Sequence, residues 1–192
     1  MTDHNTFGIS DDAFIRGNIP MTKCEIRTIT LSKLQIPNNG QILDIGCGTG
    51  SITVECGRLA NKGEVIAIDQ KEEAIYLTTE NVKKFQLNNV TTLLGQAPQD
   101  LPNQVFDRIF LGGGSKKVEG ILEYVYDHLK PKGIFVANTI LLESTYKILN
   151  HLERYNFEDI QCIQVQISKG EGKIGWMMKA YNPIYIISAR KI

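Results

Sequence analysis

The chain has 192 residues, of which 21 are basic and 21 acidic. Its formal net charge is therefore zero, which excludes a global field that would draw the protein to nucleic acid or to a membrane. Its first residues lack the apolar core of a signal peptide, no apolar run is long enough to span a bilayer, and the four cysteines have no metal-ligand spacing, so we expect a soluble cytoplasmic protein without a metal site.

The first predicted element is a helix that begins at Lys23. Thr22 and Glu25 have the spacing of a capping box, which marks the start of a helix. An N-terminal segment outside the core sheet precedes this helix. Segments in that position often lie over the ligand-binding end of an α/β sheet, so this segment is a candidate for part of a site.

Beyond this helix, short apolar runs alternate with helix-period segments, a pattern typical of a parallel sheet flanked by helices. The last two strands follow each other directly, so we expect an antiparallel hairpin with a loop over Ser168–Gly175. The predicted fold class is α/β, with a seven-stranded mostly parallel sheet, helices on both faces and an antiparallel last strand. We expect one domain, 1–192, with an N-terminal segment and helix (1–35) and a core sheet (36–192). The predicted strands are Gln41–Ile45, Glu64–Asp69, Val90–Leu94, Asp107–Leu111, Gly133–Asn138, Ile160–Ile167 and Ile184–Ala189, and the helices are Lys23–Leu34, Ser51–Ala60, Glu72–Phe85, Val118–Leu129 and Ser144–Tyr155.

The stretch L-D-I-G-C-G-T-G, residues 43–50, places three glycines directly after the first predicted strand. In an open α/β sheet, ligands bind beyond the carboxyl ends of the strands. Bare backbone there allows a ligand to approach closely, and the N-terminus of the following helix offers free N–H donors. The spacing G-x-G-x-G differs from the G-x-G-x-x-G of dinucleotide-binding folds.

Three further features indicate which ligand this loop binds. Asp69 ends the second strand, 19 residues after Gly50, where its carboxylate can accept hydrogen bonds from both hydroxyls of a ribose. Asp44 can organise an ammonium group through water, and the turn after the third strand, 95–98, lies where an adenine ring would sit. Ribose, adenine and an ammonium-bearing tail describe S-adenosylmethionine better than NAD, whose pyrophosphate would need the helix dipole.

At these residues the chain resembles the class I S-adenosylmethionine-dependent methyltransferases, over nearly its whole length. Four other stretches are similar to the decarboxylating precorrin methyltransferases of cobalamin biosynthesis. The P-M-T-K stretch after a G-I-x-D opening is the most specific of them. The four stretches are Gly8–Phe14, Ile19–Lys23, Gly112–Ser115 and Asn182–Tyr185.

The resemblance implies an enzyme that methylates carbon 15 of cobalt-precorrin-6B, decarboxylates the acetate on ring C, and assembles as a homotetramer. Two positions depart from the pattern: the run G-G-G-S-K-K replaces the usual G-G-S-G, and Gln96 stands where many class I enzymes have an acid for the adenine. By resemblance, the contacts to S-adenosylmethionine fall on Thr22, Gly46, Cys47, Gly48, Thr49, Gly50, Asp69 and Ala97.

No residue is assigned a catalytic role, since a conjugated tetrapyrrole carbon is already nucleophilic and needs no strong base. His4, His128 and His151 are expected to lie on the surface. The substrate's carboxylates could contact basic residues, or these could simply be solvated. The candidates are Lys23, Arg27, Lys116, Lys117 and a basic tail of Lys169, Lys173, Lys179, Arg190 and Lys191.

Four questions stay open at this point. A class I methyltransferase acting on RNA would have the same cofactor site, although the chain has no aromatic-rich basic stripe. A non-enzymatic module on the same fold would not bind the cofactor. Thr22 can be a helix cap alone or both cap and cofactor contact, and Trp176 with Met177 and Met178 can pack on a macrocycle or belong to the core.

Overall fold

The computed structural model describes residues 8–113, 117–172 and 175–192. All the predicted strands and helices are present, and the largest difference at an end is at β5, which begins at Leu129 rather than Gly133. The helices are α1 Cys24–Leu34, α2 Ser51–Leu59, α3 Glu72–Lys84, α4 Val118–His128 and α5 Leu142–Arg154. The strands are β1 Gln41–Ile45, β2 Glu64–Asp69, β3 Val90–Leu94, β4 Phe106–Gly112, β5 Leu129–Thr139, β6 Phe157–Val165, β7 Ser168–Glu171, β8 Met177–Ala180 and β9 Ile184–Lys191.

Seven of these strands form one sheet in the order β3-β2-β1-β4-β5-β9-β6. The first five are parallel to one another, and β9 runs antiparallel to both β5 and β6, between which it is inserted. The predicted fold class is confirmed, including the antiparallel last strand. The carboxyl ends of β1, β2 and β4 meet at one edge of the sheet, where ligands bind in folds of this kind.

Alternate residues of each central strand face opposite sides of the sheet, and helices cover both. On β4, Ile109 and Leu111 pack with apolar residues of α4 and α5, whereas Phe110 packs with those of α1 and α2. Both faces are therefore buried, which explains why the central strands are continuous apolar runs in the sequence. Among the described residues, no helix has the length and apolar character that crossing a bilayer requires.

The loop predicted over Ser168–Gly175 is wrong for its first half, because β7 and β8 form a separate antiparallel ribbon. Residues 173 and 174, within the predicted loop, lie outside the described residues. Strands are recognised in sequence by the alternation that a buried face imposes. The ribbon buries neither face: Trp176, just before β8, is 84% exposed, and Met177 and Met178 are also exposed. The possibility that these three side chains belong to the core is therefore wrong.

The predicted capping box is also wrong. The α1 helix begins at Cys24, and no side chain of its N-cap residue, Lys23, makes a capping hydrogen bond. The free N–H of Cys24 instead donates to Oδ1 of Asp11 at 2.9 Å. A carboxylate 13 residues away in sequence thus caps the helix, and Thr22 contributes its carbonyl rather than its hydroxyl, as an acceptor for Arg27.

Arg27 anchors the N-terminal segment to the sheet. Its guanidinium is fully buried, its Nε donates to Oε1 of Glu55 at 2.5 Å, and its Nη1 donates to the carbonyl of Thr22 at 2.7 Å. Glu55 also accepts the backbone N–H groups of Gly8 and Ile9. This network carries the segment across α1 and α2 to the carboxyl edge of the sheet, and it leaves Arg27 no access to a substrate, so that earlier candidate is excluded.

Candidate functional site

The glycine loop turns sharply between β1 and α2. Gly46, Gly48 and Gly50 all have positive φ, at 79°, 59° and 75°, a region that favours glycine. A Cβ on Gly46 would lie 2.5 Å from the carbonyl oxygen of Gly112. Close approach of the ends of β1 and β4 therefore requires a bare backbone at Gly46, in addition to the conformational requirement.

A cavity of about 480 Å³ opens between this loop and the ends of β2 and β3. Asp69 stands at its side with both carboxylate oxygens fixed: Oδ2 accepts the N–H of Gly48 at 3.1 Å, and Oδ1 accepts that of Lys71 at 3.0 Å. Gln96 and Ala97 also border this cavity, at the position predicted for an adenine. We call this space the nucleotide-side cavity.

A second cavity of about 510 Å³ adjoins the first. Its wall is largely apolar, with Ile26, Ile52, Phe110, Ile167 and Ile184 among its lining residues. Polar groups border it as well, including Asn138 at the end of β5, whose Nδ2 donates to the hydroxyl of Thr30 at 2.9 Å. We call this space the apolar cavity. The two cavities share the residues Gly46, Lys71, Gly112 and Gly113, so their contents would meet over bare backbone.

The eight predicted contact residues divide between the two cavities. Gly46 borders both, and Asp69 and Ala97 border the nucleotide-side cavity. Gly50 borders neither and instead forms the N-cap of α2 in a left-handed conformation. The remaining four border the apolar cavity and are Thr22, Cys47, Gly48 and Thr49.

Asp44, on the strand that leads into the loop, is a buried carboxyl group. It is 1% exposed, and its Oδ2 accepts the hydroxyl of Thr53 at 2.5 Å. Its Oδ1 is buried and has no hydrogen-bond partner among the described residues. Burial, together with a smaller contribution from the neighbouring charge of Asp69, raises the pKa of Asp44 from 3.8 to about 7. A buried carboxylate in this state is stabilised when a cation comes close.

The histidines that the structure describes lie away from both cavities. His128 stacks on Tyr124 with ring centroids 3.9 Å apart, and His151 stacks on Tyr155 at 4.0 Å. Both side chains are partly buried and partly exposed. His4 lies outside the described residues, within which no cluster of metal-ligating side chains occurs.

The basic tail does not act as a unit. Lys169 borders the apolar cavity, whereas Lys179 lies 3.7 Å from Glu171 and Arg190 lies 3.2 Å from Asp159. Lys191 donates to main-chain carbonyls of Tyr126 and Leu129, and Lys173, like Lys116, is outside the described residues. Lys117 donates to Gln99.

Several polar residues that border the apolar cavity were not assigned to a site from the sequence, among them Glu25, Lys71 and Asn138. Asn138 was recognisable, because it lies at the carboxyl end of a predicted strand, where ligands bind. Lys71 follows Asp69 by two residues, and no motif or pattern in the sequence marked it as a separate candidate. Glu25 was assigned to a capping box that does not form.

The chain resembles known proteins over nearly its full length. Residues 12–191 match the family model described as a precorrin methyltransferase domain. A Saccharolobus solfataricus protein named "Probable cobalt-precorrin-6B C(15)-methyltransferase (decarboxylating)" is 46% identical in an alignment of 190 positions that covers 96% of each chain.

Two solved structures are similar at 33% identity. The precorrin-6y C5,15-methyltransferase of Geobacter metallireducens has a TM-score of 0.90, covering 96% of this chain and 97% of the other. The precorrin 8W decarboxylase of Methanobacterium thermoautotrophicum has a TM-score of 0.85, covering 94% and 98%. With its mostly parallel sheet, glycine loop and paired cavities, the chain belongs to the precorrin methyltransferase family.

Proposed function

We propose that this methyltransferase transfers a methyl group from S-adenosylmethionine to carbon 15 of cobalt-precorrin-6B and decarboxylates the acetate of ring C. The observation that carries the proposal is the pair of adjoining cavities that meet at Gly46, Gly112 and Gly113. One has the polar side chains suited to a nucleoside, and the other has the apolar wall suited to a macrocycle. The 46% identical relative is named for this reaction. The chain would act as one domain, 1–192.

The residues present fit S-adenosylmethionine. In this proposal Asp69 holds the ribose hydroxyls, Ala97 borders the adenine, and the loop with Thr22 surrounds the sulfonium end. Oδ1 of the buried Asp44 has no hydrogen-bond partner among the described residues. The ammonium group of the ligand would place a cation near this carboxylate. When bound, S-adenosylmethionine supplies an electrophilic methyl group.

The chain's part in methyl transfer is to bring the reactants together. A tetrapyrrole carbon conjugated to a ring nitrogen is nucleophilic, so proximity and orientation supply the rate enhancement and no general base is needed. Neither described histidine borders a cavity, which agrees with this mechanism. A Cβ added to Gly113 would meet no atom of the residues that the structure describes within 4 Å, and this fits a flat substrate at the strand end.

Decarboxylation follows the same logic. The departing carboxylate has to lose its water shell, and the electrons it leaves behind need a conjugated acceptor. The apolar wall formed by Ile26, Ile52, Phe110 and Ile184 would remove the water. The macrocycle itself accepts the electrons and a proton from solvent completes the new methyl group, so no catalytic acid of the protein is assigned to this step.

We also propose a cytoplasmic homo-oligomer, specifically a homotetramer. Support comes from the ribbon of β7 and β8, which exposes Trp176, Met177 and Met178 together. Clustered large apolar side chains on a surface typically mark a contact with another protein. A second copy of this chain is the partner that the proposal assigns to them.

Transfer of labelled methyl groups tests the function. The purified protein is incubated with methyl-labelled S-adenosylmethionine and either cobalt-precorrin-6B or bulk tRNA, and label is expected only in the tetrapyrrole. Asp69→Asn should weaken cofactor binding at least about tenfold, because a charged acceptor is lost. Asp159→Asn, exposed on β6, should leave binding unchanged. Label in tRNA alone would overturn the proposal in favour of an RNA methyltransferase.

A further inference from the structure

Charged side chains border the apolar cavity in addition to its apolar wall. Lys23, Lys71 and Lys169 border it, and among the described residues Glu25 is the acidic side chain that faces them there. The lining residues of this cavity therefore carry three ammonium groups and one carboxylate, and two more carboxylates, Asp11 and Asp69, lie behind Lys23 and Lys71. An apolar wall beneath a cationic rim is complementary to a flat apolar molecule that carries carboxylates at its edge.

Lys169 occupies a special place on this rim. It lies on β7, and its Nζ is 2.8 Å from Oε1 of Glu25 in the first turn of α1, so the pair links the ribbon to the N-terminal helix across the cavity. The side chains are 37% and 38% exposed, and a pair of that kind contributes little to folding stability. Oε2 of Glu25 has no hydrogen-bond partner among the described residues, so the pairing uses one oxygen only.

The other two lysines, Lys23 and Lys71, are less suited to binding the substrate specifically. Lys71 borders both cavities and lies beside Asp69, so it faces the cofactor side as well. Lys23 is 3.9 Å from Asp11, which already offers it a carboxylate outside the rim. Lys169 borders the apolar cavity and not the nucleotide-side cavity, so it does not line the space proposed for the ribose and adenine of the cofactor.

We propose that Lys169 determines substrate specificity by binding a side-chain carboxylate of the tetrapyrrole, and that Glu25 holds its ammonium in position until the substrate carboxylate takes over the contact. The assignment rests on the proposed function and deepens it. Glu25 lowers the entropic cost of binding, because the lysine is already oriented, yet it competes with the substrate for the same ammonium. A glutamine at position 25 keeps an oxygen that can orient the lysine and removes the competing charge, so this change should strengthen substrate binding, whereas loss of the Lys169 charge should weaken it.

The ribbon offers a matched control. Lys179 lies directly opposite Lys169 in the β7–β8 register, has a 61% exposed side chain and borders neither cavity. Lys169→Met and Lys179→Met therefore remove the same charge from the same ribbon. Their effects separate a direct contact from a general change in charge or in ribbon stability.

Equilibrium binding of cobalt-precorrin-6B and, separately, of S-adenosylmethionine tests the proposal. Lys169→Met should weaken tetrapyrrole binding roughly 10- to 100-fold and leave the Kd of S-adenosylmethionine unchanged, since one charge-assisted hydrogen bond is lost. Lys179→Met should change neither Kd by more than about twofold. Glu25→Gln, which removes the competing charge, should tighten tetrapyrrole binding about two- to fivefold.

Three outcomes would overturn the assignment. Equal weakening by Lys169→Met and Glu25→Gln would show a structural ion pair rather than a substrate contact. Equal weakening by Lys169→Met and Lys179→Met would show an effect of overall charge. A wild-type protein that binds S-adenosylmethionine but no tetrapyrrole would instead overturn the proposed function itself, and the assignment with it.

Discussion

Replacing Asp44 with asparagine should make the folding stability of the ligand-free protein less dependent on pH. Burial raises the pKa of Asp44 from 3.8 to about 7 in the folded chain. Between these two values the folded protein holds a proton that the unfolded chain has released. Stability therefore falls as the pH rises through this range, because the unfolded state binds fewer protons than the folded state.

The size of the effect follows from the pKa values. One pKa unit corresponds to about 1.4 kcal/mol. Most of the free-energy cost of ionising the buried carboxyl arises between pH 5 and pH 8. Over this range the unfolding free energy of wild type should fall by about 2 to 3 kcal/mol more than that of the variant. Asparagine has the same shape and can still accept the hydroxyl of Thr53, so the variant keeps the hydrogen bond without the charge.

Urea unfolding at several pH values between 5 and 8 measures the difference between wild type and Asp44→Asn. The variant should become the more stable of the two as the pH rises. The exposed Asp159→Asn should follow wild type throughout, since its charge lies on the surface. A difference between wild type and Asp44→Asn that stays constant within about 0.5 kcal/mol over the whole range would refute the reasoning.

Three further substitutions have expected outcomes. Gly46→Ala places a Cβ 2.5 Å from the carbonyl oxygen of Gly112 at a φ of 79°, so it should cost about 1 to 3 kcal/mol in urea unfolding and weaken cofactor binding measured by calorimetry. Arg27→Met leaves Glu55 buried without its cation and should cost about 3 to 5 kcal/mol in urea unfolding; a loss below about 1 kcal/mol would contradict the burial of this pair. Trp176→Ser should shift light-scattering mass towards smaller species, whereas an unchanged mass would remove Trp176 from the proposed interface.

Features that repeat with the period of a strand or helix could be predicted from the sequence. The central strands are buried on both faces, so their apolar runs are continuous, and the glycine loop follows the first of them directly. The position of Asp69 beside the nucleotide-side cavity could be predicted, because its place at a strand end follows from the same periodicity. These features depend on neighbours in sequence and on the general geometry of parallel sheets.

Features set by contacts between distant residues could not be predicted. The cap of α1 comes from Asp11, and the ribbon of β7 and β8 has no buried face that would impose alternation. Arginine is a residue type that usually lies on the surface, but Arg27 is buried against Glu55, a partner 28 positions away. The contact between Lys169 and Glu25 spans most of the chain, so only the fold brings the pair to one cavity.

A mass spectrum of cobalt-precorrin-6B, taken after incubation with the protein and S-adenosylmethionine, tests the central claim most directly. The proposed function predicts a product that has gained one methyl group and lost one carbon dioxide, both in this single chain. A methylated product that keeps its carboxyl would retain the transferase and remove the decarboxylation from this site. An unchanged tetrapyrrole, with binding of S-adenosylmethionine shown separately, would contradict the proposed function.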